Sequence, residues 1–181
     1  MVRVRFAGGF TLLEVLVAVF VLAVGILGAA AMQLTALRTR HQSSLMSAGV
    51  QLASSLADSM RANVETMRAA DSANPYLQLN YDAADGAPQQ PVASCFAGTG
   101  CNAAQLADAE LYQFKHALYA GFPGGRVLVC RDSQVGDGAR GALRWACAGA
   151  LQAPIVIKLG WRDDSDDFAP SVAIALPGAI E

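Results

Sequence analysis

The sequence predicts an α+β fold, in which a long N-terminal membrane-spanning helix packs on a small antiparallel β-sheet domain that carries one short extra helix. Three observations predict it. Residues 15–32 contain no polar side chain, and a helix of about 20 mostly apolar residues is long enough to span a bilayer. No proline occurs before Pro75, so nothing of that kind breaks a helix begun at Phe10. Near the C-terminus Ile155, Ile157, Leu159 and Trp161 alternate with Val156, Lys158, Gly160 and Arg162, which is the period of a strand.

Residues 1–9 carry Arg3 and Arg5, no acid, and end in Gly8-Gly9, a short cationic lead-in. Residues 10–32 are apolar all round, as a helix in lipid or inside a helix bundle must be. Over residues 33–71 one stripe replaces this pattern, running Leu34, Leu37, Leu45, Ala48, Leu52, Leu56, Met60, Val64 and Met67. Such a continuation can lay one face on a globular domain. The run Asp71-Ser72-Ala73-Asn74-Pro75 is expected to end the helix, because proline lacks the amide donor and restricts its predecessor. Residues 72–181 then form the globular domain.

Within that domain residues 80–91 read as loop by composition. Asn102 with Gln105 has the spacing of a capping box, and Ala107, Leu111, Phe114 and Leu118 share one face before Gly121 and Pro123, so a short second helix is expected there. Residues 126–130 are a candidate strand and 143–147 a weaker one. Residues 155–162 are the clearest strand, with one face expected against the helix. Val172, Ile174 and Leu176 repeat its period after the acidic stretch 163–167, giving an expected antiparallel pair.

Composition narrows the function. The 181 residues suit one ordinary domain once the apolar segment is set aside. A net charge of −2 from sparse charges of both signs offers no broad cationic surface, and a nucleic-acid partner is not expected. The four cysteines, Cys95, Cys101, Cys130 and Cys147, fall in two local pairs and read as disulfides of an oxidising compartment. Short separations favour Cys95 with Cys101 and Cys130 with Cys147, among the connectivities that four cysteines allow. Zinc is the rival for these residues, but neither pair has C-x-x-C spacing, and His41 and His116 lie far from both. No metal and no cofactor is expected. The run Asp163-Asp164-Ser165-Asp166-Asp167 offers oxygen ligands for calcium but lacks the glycine and closing glutamate of an EF-hand loop, so a solvated turn is the expectation. No nucleophile, base and acid form a recognisable catalytic pattern, and an enzyme is not expected.

The residues that carry function are Gly8-Gly9-Phe10-Thr11-Leu12-Leu13-Glu14-Val15. This segment resembles the processing site of type IV pilins and type II secretion pseudopilins: a basic leader, a glycine before the cut, an apolar aromatic after it, and one carboxylate four residues on. The resemblance implies cleavage between Gly9 and Phe10 by a prepilin peptidase, methylation of the new Phe10 amine, and a role for Glu14 in assembly. Elementary electrostatics agrees about Glu14. A carboxylate inside an apolar membrane segment costs roughly 3 kcal/mol or more and needs a partner; an N-terminal amine titrating near pH ~8 supplies a cation. An ordinary secretory signal cut at Ala29-Ala30-Ala31 is the rival reading. Against it stand Glu14, the length of the apolar run and a helical pattern that continues through the cut. Arg38 and Arg40 balance Arg3 and Arg5, so the positive-inside rule does not orient the segment; paired cysteines place the C-terminal domain in the periplasm.

Further along, Gly25-Ile26-Leu27-Gly28, Gln33-Leu34-Thr35-Ala36-Leu37-Arg38 and Ser59-Met60-Arg61-Ala62-Asn63 are similar to minor pilins of the PilV kind. So are the Cys95 to Cys101 loop, Gln105-Leu106-Ala107-Asp108, Phe122-Pro123-Gly124-Gly125 and the strand ending at Trp161. Many major pilins bend the membrane helix with a proline that this sequence lacks. The resemblance implies a type IV pilin-like fold and a subunit near the filament tip that helps start pilus assembly. The partners it implies are prepilin peptidase, other minor pilins, the major pilin and a tip adhesin. The location it implies is a single pass through the inner membrane, then a surface pilus. A minor pseudopilin of a secretion or competence system, and a membrane-tethered periplasmic binding module, are the alternatives.

Overall fold

The computed structural model describes residues 11–91, 95, 100–138, 141–162 and 168–176. The chain divides into two units, Met1–Ser44 and Leu45–Glu181. Helix α1, Leu12–Ala62, is the only described element of the first and begins the core of the second. There follow a short helix α2 (Val64–Met67), strand β1 (Asn80–Asp82), helix α3 (Ala103–Gly121), and strands β2 (Arg126–Arg131), β3 (Ile155–Gly160) and β4 (Val172–Leu176). The fold is α+β, as the two hydrophobic periods of the sequence imply.

In the first unit every described side chain is exposed. Phe20 and Leu27 are both 70% open, a state that water penalises and lipid or a helix bundle does not. The hydroxyls of Thr35 and Thr39 bond back to the carbonyls of Ala31 and Thr35 at 3.2 and 3.1 Å, so neither requires water.

The second unit is a four-stranded antiparallel meander in the order β1-β2-β3-β4. Val127 pairs with Leu159 and Val129 with Ile157, and Ile157 pairs with Ile174, which aligns the apolar rows of three strands on one face. Against that face lie Ala53, Leu56, Ala57 and Met60 of α1 and Ala107, Leu111, Phe114 and Leu118 of α3, in one continuous core. The buried edge of α1 is made largely of small residues, Gly49, Ala53 and Ala57, which let the helix approach closely. A methyl group at Gly49 would stand 2.8 Å from the Trp161 ring.

The capping box at α3 is present: Asn102 accepts from the Gln105 amide at 2.8 Å and the Gln105 side chain accepts from the Asn102 amide at 3.1 Å. β3 and β4 pair as expected. The acidic stretch 163–167, with its calcium candidate, lies outside the described residues.

Four expectations are corrected. α1 stops at Ala62 instead of continuing to residue 71. Asn63 leaves the helical conformation at φ −92° and ψ 65°, and its side chain caps α2 by accepting from the Thr66 amide, a local bond that competes with helix continuation. Of the stripe, Leu34, Leu37 and Ala48 are exposed, Leu45, Leu52, Val64 and Met67 are half-buried, and only Leu56 and Met60 are fully buried. Residues 80–82, read as loop, form β1 by pairing with β2; a strand so short shows no period. Residues 143–147 form no strand, only an isolated bridge between Gly136 and Leu143, because side chains satisfy the backbone there.

Those side chains are on the second face of β3, which is also buried. Lys158 is fully enclosed, and its Nζ donates to Asp132 Oδ2 at 2.5 Å and to the carbonyls of Arg144 and Ala146 at 2.8 and 2.7 Å. Asp132 Oδ1 accepts from the amides of Gln134 and Ala148 at 2.9 and 3.1 Å. One buried ion pair thus supplies five bonds that hold Asp132, Gln134, Arg144, Ala146 and Ala148 over the sheet.

Candidate functional site

The N-terminal site begins at a helix cap. Thr11 precedes α1, and its hydroxyl and carbonyl accept from the Glu14 amide at 3.3 and 3.1 Å. Thr-x-x-Glu is the sequence signature of a helix start, and it was the signal available for a residue that sequence reasoning passed over. The cap puts Glu14 in the first helical turn, at the positive end of the helix dipole.

Leu12, Leu13, Val15 and Leu16 surround this carboxylate and are 79, 71, 53 and 59% exposed. The dipole contributes about 0.3–1 kcal/mol to an anion, against roughly 3 kcal/mol for placing it in hydrocarbon. The deficit is what a cation must cover. Among the described residues the Glu14 side chain has no partner. Gly9 and Phe10, the expected cleavage and methylation positions, lie outside the described residues.

Residues 5–30 match the family model of the prokaryotic N-terminal methylation motif. The chain carries a type IV pilin signal. The match takes in Gly9, Phe10 and Glu14 and supports a type IV pilin-like or pseudopilin protein. No curated protein and no solved structure matches the chain. Helix α1 is long and apolar enough to cross a membrane, and with the motif it fits a membrane-anchored protein. It runs unbroken through Ala29, Ala30 and Ala31, where a secretory signal would be cut.

The four cysteines form Cys95–Cys101 and Cys130–Cys147, which leaves no thiolate for zinc. Cys130–Cys147 joins the end of β2 to the irregular segment below it; the strand expected near Trp145 is not its partner. His41 and His116 are both exposed, and among the described residues no three metal-ligating side chains gather.

Two carboxyls in the globular unit are held below their ordinary value of 3.8. Burial pushes Asp132 up, but the Lys158 ammonium and the amides of Gln134 and Ala148 outweigh it. Asp71 is held down mainly by its bond to Arg131, a two-pronged contact at 2.6 and 2.8 Å that outweighs its own desolvation. Sequence reasoning missed both pairs. A lone lysine within an otherwise apolar strand was the sign of the first; the second, joining residues far apart in the chain, left none.

Proposed function

We propose that the chain is a minor subunit of a type IV pilus, of the PilV kind, which acts by packing and not by catalysis. The observation that carries this reading is the methylation motif at residues 5–30, joined to a carboxylate in the first turn of an exposed apolar helix. A prepilin peptidase cuts between Gly9 and Phe10 and methylates the new amine. The subunit waits as a single-pass protein of the inner membrane, its C-terminal domain in the periplasm, and then enters the filament with other minor pilins and the major pilin.

Assembly follows from the deficit at Glu14. The amine freed at Phe10, cationic at neutral pH, neutralises Glu14 of a neighbouring helix and sets the axial register. Residues 15–32 meanwhile exchange lipid for other helices, one apolar surrounding for another. The same motif supports a minor pseudopilin of a type II secretion or competence system, which would use the same chemistry. A membrane-tethered adhesin or binding module uses the helix only as an anchor, so filament entry separates it from both.

Intact-mass measurement on membrane-derived protein is expected to give a chain that starts at methylated Phe10; a start at Met32 refutes the reading. Glu14→Ala, expressed without the wild-type copy, is expected to be cut and retained in the membrane normally, since the segment becomes more apolar. Its recovery with other minor pilins and sheared pili is expected to fall roughly tenfold or more, because a neighbour's amine is left unpaired. Normal recovery would make Glu14 incidental and favour the tethered module.

A further inference from the structure

Beyond its apolar run, α1 carries a belt of basic side chains. Arg38, Arg40 and His41 are all exposed, and among the described residues they make no side-chain hydrogen bond, ion pair or ring contact. The helix holds no acid between Glu14 and Asp58. At 1.5 Å per residue those two carboxylates stand about 36 Å and about 27 Å from the nearer arginine, far beyond an ion pair. Position along the helix narrows what the belt can meet. Residues 15–32 have no polar side chain and span about 27 Å, close to the thickness of the hydrocarbon layer. Arg38 lies about 9 Å past Met32, at the level of the headgroups that border that layer. On the way the Thr35 hydroxyl is closed on the Ala31 carbonyl. Position around the helix narrows it further. At about 100° per residue, Arg38 and Arg40 point to nearly opposite sides, with His41 between them. One face of a partner protein covers one side only, whereas a headgroup layer surrounds the helix.

We propose that Arg38 and Arg40, with His41, bind the phosphate groups of anionic phospholipids in the leaflet at the C-terminal end of the spanning run. A guanidinium presents parallel N–H donors to a phosphate. Its flexible stem lets the charged head settle among headgroups while the methylenes lie against apolar surface. An imidazole N–H donates to the same oxygens whether or not the ring is charged. A zwitterionic headgroup brings its own cation, which repels the arginines, so lipids of net negative charge are selected. The belt thereby holds the helix at one depth in the bilayer. The inference rests on the membrane-spanning reading of α1 and does not depend on the filament that the subunit enters.

The test places the full-length processed protein in phosphatidylcholine vesicles with trace spin-labelled phosphatidylglycerol or phosphatidylcholine, and reads the immobilised lipid by electron paramagnetic resonance. Phosphatidylglycerol is expected to associate roughly fivefold or more strongly than phosphatidylcholine at low salt, and the difference is expected to shrink at about 0.5 M salt. Arg38→Gln with Arg40→Gln is expected to abolish the preference, and Arg38→Lys with Arg40→Lys to keep most of it, since each lysine retains the charge. Arg61→Gln, in the last turn of α1, is expected to change nothing. Immobilised phosphatidylcholine, equal in all variants, shows that each still spans the bilayer. Equal association of the two lipids with the wild-type protein overturns the proposal, as does a preference that survives in the glutamine double variant. Absence of immobilised lipid of either kind overturns the membrane-spanning reading itself.

Discussion

Glu14 and Lys158 are both single charges in apolar runs, and their surroundings separate their roles. Lys158 finds a carboxylate and two carbonyls in its own chain, so its charge is spent on folding. The Glu14 carboxylate finds no such partner among the described residues, and in the proposed assembly a neighbouring chain supplies it. Lys158→Met removes one side of a buried pair and is expected to cost about 3–5 kcal/mol, with the larger value if Arg144, 4.0 Å from Asp132, does not swing in. Urea unfolding measures this, and a loss under about 1 kcal/mol would show that Arg144 replaces the lysine. The pH dependence has a definite sign. Asp132 and Asp71 are both held below 3.8 in the folded chain. Their contribution is therefore full above that value and is lost as pH falls through the folded one. Stability is expected to drop between about pH 5 and pH 2, and less steeply in Lys158→Met, where the cation that lowers Asp132 is gone.

At the scale of elements, the end of α1 decides how the helices join. Asn63 is 7% exposed; its Oδ1 caps α2, and its Nδ2 donates to the Ala103 carbonyl at 2.8 Å and to the Tyr76 hydroxyl at 3.4 Å. One carboxamide therefore breaks the first helix, starts the second and secures the first residue of α3. Asn63→Ala removes the cap, worth about 1 kcal/mol, and the bond from its Nδ2 to the Ala103 carbonyl, worth about 0.5–1.5 kcal/mol more, since that carbonyl keeps its bond within α3. The midpoint of urea unfolding is expected to fall accordingly, with an unchanged slope. An unaltered midpoint would mean that α1 continues through residue 63 at no cost. In the sequence Asn63 is one polar residue in a helical stretch, and nothing beside it announces that Ala103 is within reach.

At the scale of the molecule, the globular unit has a sheet with helices on one face and residues 132–138 and 141–148 on the other. The Cys130–Cys147 loop spans 17 residues and encloses Asp132, while Cys95–Cys101 spans 6. Loop entropy alone assigns about 3 and about 2 kcal/mol to the two bonds. Replacing the larger pair by alanines is expected to cost more than this, since the segment that buries Lys158 loses its closure. Replacing the smaller pair is expected to cost no more than its loop term. Thermal unfolding of the two double variants measures both, and a loss for the larger pair no greater than its loop term would show that the disulfide and the ion pair act independently. Gly149 marks how closely this segment crosses β2: a methyl group there would lie 2.4 Å from the Arg131 carbonyl oxygen.

The N-terminal motif, the spanning run, the cap of α3 and the alternation of β3 and β4 were determined by the sequence itself. Each rests on residues a few positions apart, whose spacing expresses a helical or a strand period directly. The functional site is almost entirely of this kind, because a peptidase reads a short segment and a membrane reads a continuous one. Only the tertiary structure decided where α1 ends, that residues 80–82 pair, that 143–147 do not, and that both faces of β3 are covered. These outcomes depend on contacts such as Asn63 with Ala103 and Asp132 with Lys158, separated by 40 and 26 residues. A buried lysine and an exposed one have the same neighbours in the chain. What distinguishes them is whether a carboxylate and two carbonyls converge on the ammonium after folding, and that is a property of the packed chain, not of any segment in it.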